Sequence, residues 1–446
     1  MEAIKTNSRR APARRALTLA MSAALGSCLL LTPEADVHAT TFIVTNCDDA
    51  GGGSLRDSIG AAVSGDTIDL TTLACATISL SSGAIAVPQQ SLTIEGPGTG
   101  LTIDGNYGDR VFMHSGTGTL LVSGVTVTAG KYISDTAPRG GCIYSAGNLS
   151  LSEVVVTRCQ VVGQDPEVAS GGAVYTQGNL VVLSSKITGN SSQGGAEVNS
   201  SSNGGAAGVR GNLTVKYSTF SDNQALPTAG RNSGSGAIES FGSATIVGST
   251  FSNNYALFFG ALSFLGPDGD DAMIIDSTFS NNVAPWNSGI YTQIPLKIFN
   301  STIAFNHSQV KGAVYSQLSE LEFESTIIAG NENTGANPDD VRGTDNTPPI
   351  LGANNLIIAS NIPLPADTIS VCPHLAQLTD NGGPTFTHAL LDDSVAIDAG
   401  NNVKNLADDQ RGEPREFGSA TDIGAYEWNS PVEFTFHSSF EPTCDN

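Results

Sequence analysis

The chain is poor in charge, in aromatic rings and above all in basic residues. Of its 446 residues, 14% are Asp, Glu, Lys or Arg, and 20 basic residues face 43 acidic ones, for a formal net charge of −23. That imbalance argues against nucleic acid and against anionic membranes as partners. Six histidines are present, and His374 and His388 stand apart from each other with no metal-ligand spacing, which argues against zinc. Helical periodicity is almost absent. Beyond the N-terminal 39 residues, no apolar run is long enough to span a bilayer. What is abundant is glycine, 50 residues, together with Ser, Thr and Asn; a 39% hydrophobic fraction is enough to fill a core. This composition suits β-structure with many tight turns.

The N-terminus reads as an export signal. Arg9, Arg10, Arg14 and Arg15 form a basic region, Leu17 to Leu31 is apolar, and Val37-His38-Ala39 is a cleavage site, so 1–39 is a signal peptide and the mature chain starts at Thr40. Leu25-Gly26-Ser27-Cys28 has the outline of a lipoprotein box, but Leu29 to Leu31 continue the apolar run past the cysteine. Cleavage leaves 15 basic against 40 acidic residues and six cysteines. An even number in an exported chain points to disulfides. Proximity pairs Cys47 with Cys75 and Cys142 with Cys159; Cys372 and Cys444 remain by subtraction.

The middle of the chain repeats. Asn190, Asn223, Asn254, Asn282, Asn306 and Asn331 form one column, each preceded by three residues by Ile187, Phe220, Phe251, Phe279, Ile303 or Ile328. Five residues earlier stand Val182, Val215, Ile246, Ile274, Ile298 and Phe323, and two earlier still Leu180, Leu213, Ala244, Ala272, Leu296 and Leu321. The register reaches upstream through Val156 and Val127, and glycines open several turns, as in Gly171-Gly172 and Gly204-Gly205. A period of 24 to 33 residues without helical patterning specifies a solenoid. The two-residue offset is strand alternation, and the three-residue gap marks a bend. The expected fold is all-β, a right-handed parallel β-helix with stacked side-chain columns. Asparagine suits the bend because it tolerates left-handed backbone angles and because stacked amides hydrogen-bond along the column.

Ser54-Leu55-Arg56-Asp57 is a capping-box pattern, and Leu55, Ile59, Ala62 and Val63 share one helical face, so 54–63 is expected as a short helix over the open end of the first coil. Pro363 and Pro365 and the end of the register mark the last boundary. The expected organisation is an N-terminal cap at 40–65, the β-helix at 66–362, an irregular C-terminal cap at 363–430 and a tail at 431–446.

Two resemblances follow. The glycine entries with Phe220-x-x-Asn223, Phe251-x-x-Asn254 and Phe279-x-x-Asn282 resemble the repeats of chlamydial polymorphic outer membrane proteins, which are surface adhesins. Only 115 residues follow the last coil motif, too few for a translocator barrel, so this resemblance bears on the fold. TTFIVTNCDDAGGGSLRDSI (40–59), LTDNGGPTFTHAL (378–390), AIDAG (396–400), DQRGEPR (409–415) and DIGAYE (422–427) are similar to bacterial β-helix proteins with a choice-of-anchor C-terminal domain of the Q type. With the repeats, that match covers nearly all of the mature chain. It implies an exported, surface-associated protein; no apolar anchor helix follows Glu427.

Candidate chemistry is sparse. A glycosidase needs paired carboxylates, and a lyase needs calcium-binding acids with a base; neither constellation stands out, and Lys186, Arg210 and Lys216 read as solvated exterior residues. Asp268, Asp270 and Asp271 form the densest acidic loop of the repeats and are candidate calcium ligands, against the plainer reading of an Asp/Gly turn. Asp380, Asp398, Asp409 and Asp422 with Arg411 are either a site or a set of turn-holding ion pairs. Tyr144, Tyr175, Tyr291 and Tyr315 share a spacing from the glycine entries that lapses between 204 and 262; they are either a sugar-stacking strip or a rim column. The expected function is extracellular recognition, adhesion or structure by a monomer that binds a polysaccharide or a surface without catalysis. The alternative is a polysaccharide lyase or glycoside hydrolase on the same scaffold.

Overall fold

In the computed structural model, the described residues are 39–429, excepting 99, 165–166, 196–199, 229–231, 268 and 335–339. They wind into a parallel β-solenoid with three long sheets. Sheet A has eleven strands, from Thr41–Ile43 to Leu321–Glu324, sheet B has eleven, from Thr77–Ser79 to Leu356–Ile357, and sheet C has ten, from Ile85–Val87 to Val341–Gly343. Each complete coil supplies one strand to each sheet, and the pairing is parallel and in the register read from the sequence: Leu180↔Leu213 and Val182↔Val215 in A, Phe220↔Phe251 and Phe251↔Phe279 in B. Alternation sends Leu180 and Val182 inward and leaves Val181 and Leu183 partly exposed. Inside sheet B the rings of Phe220, Phe251 and Phe279 stack with centroids 5.0 and 4.8 Å apart.

The bends follow three rules. At the bend after sheet B the asparagine ladder is continuous: Asn254 Nδ2 donates to Asn282 Oδ1 at 2.9 Å and to the Phe220 carbonyl at 2.9 Å. The ladder runs from the Cys159 amide, which donates to Asn190 Oδ1, to Asn331, whose Nδ2 donates to Asp340 Oδ1 at 2.9 Å. The left-handed backbone lies one residue earlier than expected. Gly189, Asp222, Asn253, Asn281, Phe305 and Gly330 carry φ between 56° and 67°, and the ladder asparagines do not. The column is therefore selected for its amides, and turn chirality is delegated to the preceding residue. The bend between sheets A and B holds a serine ladder that the sequence reading passed over. The amides of Ser185, Ser218, Ser249 and Ser277 donate to the hydroxyls of Ser218, Ser249, Ser277 and Ser301 at 3.1 to 3.2 Å. The third bend is a column of glycines chosen for close approach. A Cβ on Gly236 would lie 2.1 Å from the Gly260 carbonyl oxygen. Gly236→Ala is expected to lower the thermal midpoint clearly, because the coil above it must move; an unchanged midpoint would show that the bend is soft.

The N-terminal helix is Leu55–Ala61, with Ser54 as N-cap accepting from the Asp57 amide and with Leu55, Ser58 and Ile59 buried. Gln89 Nε2 donates to the carbonyls of Ile59 and Ala62, closing its C-terminal end. The helix ends before Val63, which is 54% exposed and not on the buried face as expected, because Ala62 has already turned to extended geometry. The segment expected as cap alone also supplies the first strand: Thr41–Ile43 pairs with Thr67–Asp69. Cys47–Cys75 and Cys142–Cys159 are disulfides, and Cys372 is disulfide-bonded; Cys444 and residues 1–38 of the expected 1–39 signal peptide lie outside the described residues. No helix among the described residues is long and apolar enough to cross a membrane.

The C-terminal region divides its work. Residues 359–371 continue the winding, with Ile369 bridging Leu356 and Ile362 buried. Residues 372–429 turn back along the outer face of sheet B. There Leu375, Leu390, Ala396, Ile423 and Tyr426 pack on Ala304, Ile327, Ala329 and Leu356. Gln410 exchanges hydrogen bonds with Thr278 and Thr250, and His388 Nε2 meets Ser280 Oγ at 2.9 Å.

Candidate functional site: the outer face of sheet C

With sheet B covered, sheet C carries the chemistry-bearing side chains that point away from the core. Its middle strand positions form one outward column: Met113, Tyr144, Tyr175, Gly208, Glu239, Ser263, Tyr291, Tyr315 and Arg342. The four tyrosines marked by the sequence thus share a column, and the lapse between 204 and 262 is filled by Gly208, Glu239 and Ser263. The rings stack on one another. Tyr144 and Tyr175 lie 6.0 Å apart at 3°, Tyr291 and Tyr315 5.7 Å apart, and Phe259 stacks on Tyr291 at 4.1 Å. Tyr175, Tyr291 and Tyr315 are buried, and Tyr144 is half-buried. Their faces are occupied by each other, so the column is a wall with its hydroxyls at the edge. Tyr291 donates to Gln317 and accepts from Gln293.

Cations line this wall. Arg110 lies over Tyr132 at 3.1 Å and donates to the carbonyls of Arg139 and Gly140. Arg139 lies over Tyr175, and Lys311 over both Tyr315 and Trp286. Arg210 was read as a solvated exterior residue. It is exposed, but its guanidinium is fixed: Nε donates to the Tyr175 hydroxyl at 2.9 Å and the group lies 4.0 Å over Phe241. Beside the tyrosines, the accessible aromatic surface belongs to Phe258 and Trp286, which meet edge-on; Trp286 is 36% exposed and flanked by exposed Val283 and Val310. Burial pushes the Glu239 carboxyl up to about 7, with Arg210 opposing that shift.

No family model and no curated protein matches the chain. Among solved structures, the chain is similar to the crystal structure of pectate lyase Pel9A, at 12% identity and a TM-score of 0.48, over 87% of this chain and 96% of that one. At that level the likeness carries no argument about the chemistry of this chain.

The remaining candidates resolve as follows. Asp270 accepts from Ser243 Oγ at 2.8 Å, Asp271 is exposed, and Asp268 lies outside the described residues. Among the described residues, no group of three or more metal-ligating side chains converges. The C-terminal acids hold the folded-back segment: Asp409 pairs with Arg411 at 2.7 Å, Asp398 accepts from the amides of Ser419 and Ala420, Asp422 accepts from those of Asp398 and Trp428, and Asp380 accepts from that of Gly382. A shallow depression of 460 Å³ at the N-terminal helix is bordered by Arg56, which is already engaged with Asp49. Phe258, Trp286, Lys311 and Glu239 were missed by the sequence reading. Phe258 and Trp286 sit where the loops shorten and the repeat register is silent. Glu239 was marked only by the gap in the tyrosine spacing.

Proposed function

We propose that this is an extracellular recognition protein whose sheet-C face binds an acidic polysaccharide without cleaving it. The observation that carries the reading is the arrangement of cations on this face. In a chain with 43 acidic and 20 basic residues, Arg139, Arg210 and Lys311 lie against aromatic rings on one outer face, and Arg342 continues its column. Aromatic surface beside fixed cations suits sugar rings bearing negative groups. A straight column of rungs about 4.8 Å apart suits an extended polymer. The disulfides support an oxidising compartment.

The test is binding of the purified protein to immobilised acidic and neutral polysaccharides, with reducing ends and unsaturated uronates followed in parallel. Acidic polymers are expected to bind and neutral ones not. Trp286→Ala and Lys311→Ala are each expected to weaken binding about tenfold, near 1.4 kcal/mol. Equal retention of neutral polymers would sink the charge argument. New reducing ends or unsaturated product on any polymer would replace recognition by catalysis.

A further inference from the structure

The break in the tyrosine column holds a buried hydroxyl without a partner among the described residues and, beside it, a nearly buried carboxyl. Glu239 is 7% exposed, and no hydrogen bond from the described residues reaches its carboxyl. Ser170 is 6% exposed, and its hydroxyl also has no partner among the described residues. Both border Gly208. The register sets Gly208 between Tyr175 and Glu239, and a Cβ on Gly208 would lie 2.4 Å from Ser170 Oγ and 2.8 Å from the Tyr175 ring. Glycine here lets the hydroxyl and the ring come close to the strand. Arg210, two residues further along the same coil, anchors on the Tyr175 hydroxyl. It is the one described charge that acts on Glu239.

A buried polar group left unpaired in a native fold calls for an explanation. Here one such hydroxyl and a nearly buried carboxyl, with the Arg210 guanidinium acting on the carboxyl, lie where the stacked rings are interrupted. Their donor chemistry is complementary to an anion. Arg210 offers charge and N–H donors, Ser170 offers an O–H, and a carboxyl held near half-protonation at neutral pH offers an O–H in its neutral form.

We propose that Glu239, Arg210 and Ser170 form a subsite for one anionic substituent, a carboxylate or a sulfate, on a sugar of a glycan lying along sheet C. This rests on the glycan-binding reading above. Arg210 neutralises the substituent. Glu239 donates to it while protonated and repels it once ionised, so binding weakens as pH rises.

The experiment measures affinity of the purified protein for polygalacturonate and for dextran sulfate at pH 5.5 and pH 8, with carboxyl-reduced polymer and plain dextran as controls. Both substituents keep their charge across that range, so the pH response reports the protein. The wild type is expected to bind at least fivefold tighter at pH 5.5 than at pH 8. Glu239→Gln, which keeps a neutral donor, is expected to bind at pH 8 as the wild type does at pH 5.5. Arg210→Ala is expected to lose at least tenfold at both values. The polymer whose affinity responds to these substitutions identifies the substituent. Wild-type binding that neither substitution changes, in affinity or in pH response, overturns the subsite while the glycan reading stands. Failure of the wild type to bind any acidic polymer sinks that reading and the subsite with it.

Discussion

Replacing Asn254 by alanine should destabilise the middle of the solenoid by about 4 kcal/mol, at the upper end for a single polar side chain. Its amide makes four hydrogen bonds, all buried. Oδ1 accepts from the Asn223 amide at 3.1 Å and from Asn223 Nδ2 at 3.0 Å, and Nδ2 donates to Asn282 Oδ1 and to the Phe220 carbonyl, both at 2.9 Å. Alanine removes one partner from each: Asn223 Nδ2 keeps the Ile187 carbonyl and Asn282 Oδ1 keeps the backbone amide of position 254, while the Asn223 amide loses its acceptor in a place water does not reach. Four lost buried bonds at about 1 kcal/mol each give that figure, and the cost of the bared Asn223 amide is partly recovered by local relaxation. The neighbouring asparagines cannot compensate, because each already bonds the next. A solenoid transmits such a defect along its axis through rung-to-rung interfaces, so the coils on either side should also lose hydrogen-exchange protection. Chemical denaturation and amide exchange check this together. A loss below about 1 kcal/mol with protection unchanged would mean that the ladder is ornament on a core sufficient without it.

This ladder shows where the sequence was legible and where it was not. The asparagine column, the inward Leu, Val, Ile and Phe columns and the two short-range disulfides could be read because each recurs at a fixed offset or lies close in the chain. The left-handed residue before each asparagine could not, since Gly, Asp, Asn and Phe all fill it and no single residue type marks the position. The serine ladder hid in a chain already rich in serine. The candidate site was half visible. The four tyrosines were aligned by their spacing, but the stacking that closes their faces depends on rung geometry. Half-buried Phe258 and exposed Trp286 lie in neighbouring coils joined by an isolated bridge, Phe259↔Asn287, whose residue types repeat nowhere else in the sequence pattern. The course of 372–429 along sheet B was illegible for another reason: its contacts reach more than a hundred residues back along the chain.

That folded-back segment should depend on pH, and on one arginine. Arg415 is fully buried. Its NH1 lies 3.5 Å from Asp276 Oδ1 and its Nε 4.0 Å from Glu427 Oε2, and its NH2 donates to the carbonyls of Asp422 and Gly424. Arg411 is paired with Asp409, so one guanidinium is left to face three carboxyls. Burial pushes Asp276 up to about 7, Glu427 to about 7 and Asp422 to about 6, with Arg415 opposing each shift. Folded values above the unfolded ones mean that the folded state holds extra protons. The stabilisation is complete below the unfolded values, near 4, and is lost as pH rises through 6 to 7. The docked segment should therefore be tighter at pH 5 than at pH 8. Arg415→Met keeps much of the volume and removes the cation that, among the described residues, faces these acids. At pH 8 it should cost about 3–5 kcal/mol, the range for breaking a buried pair from one side. At pH 5 the cost should shrink, because protonated Asp276 and Glu427 need no counter-charge; what remains is the lost hydrogen bonding to two carbonyls. Limited proteolysis of 372–429 at the two pH values reads the difference directly. Equal cleavage of variant and wild type at pH 8, or an equal excess at both values, would show that Arg415 holds the segment by packing and carbonyl contacts and that its charge is not what the sheet-B face requires.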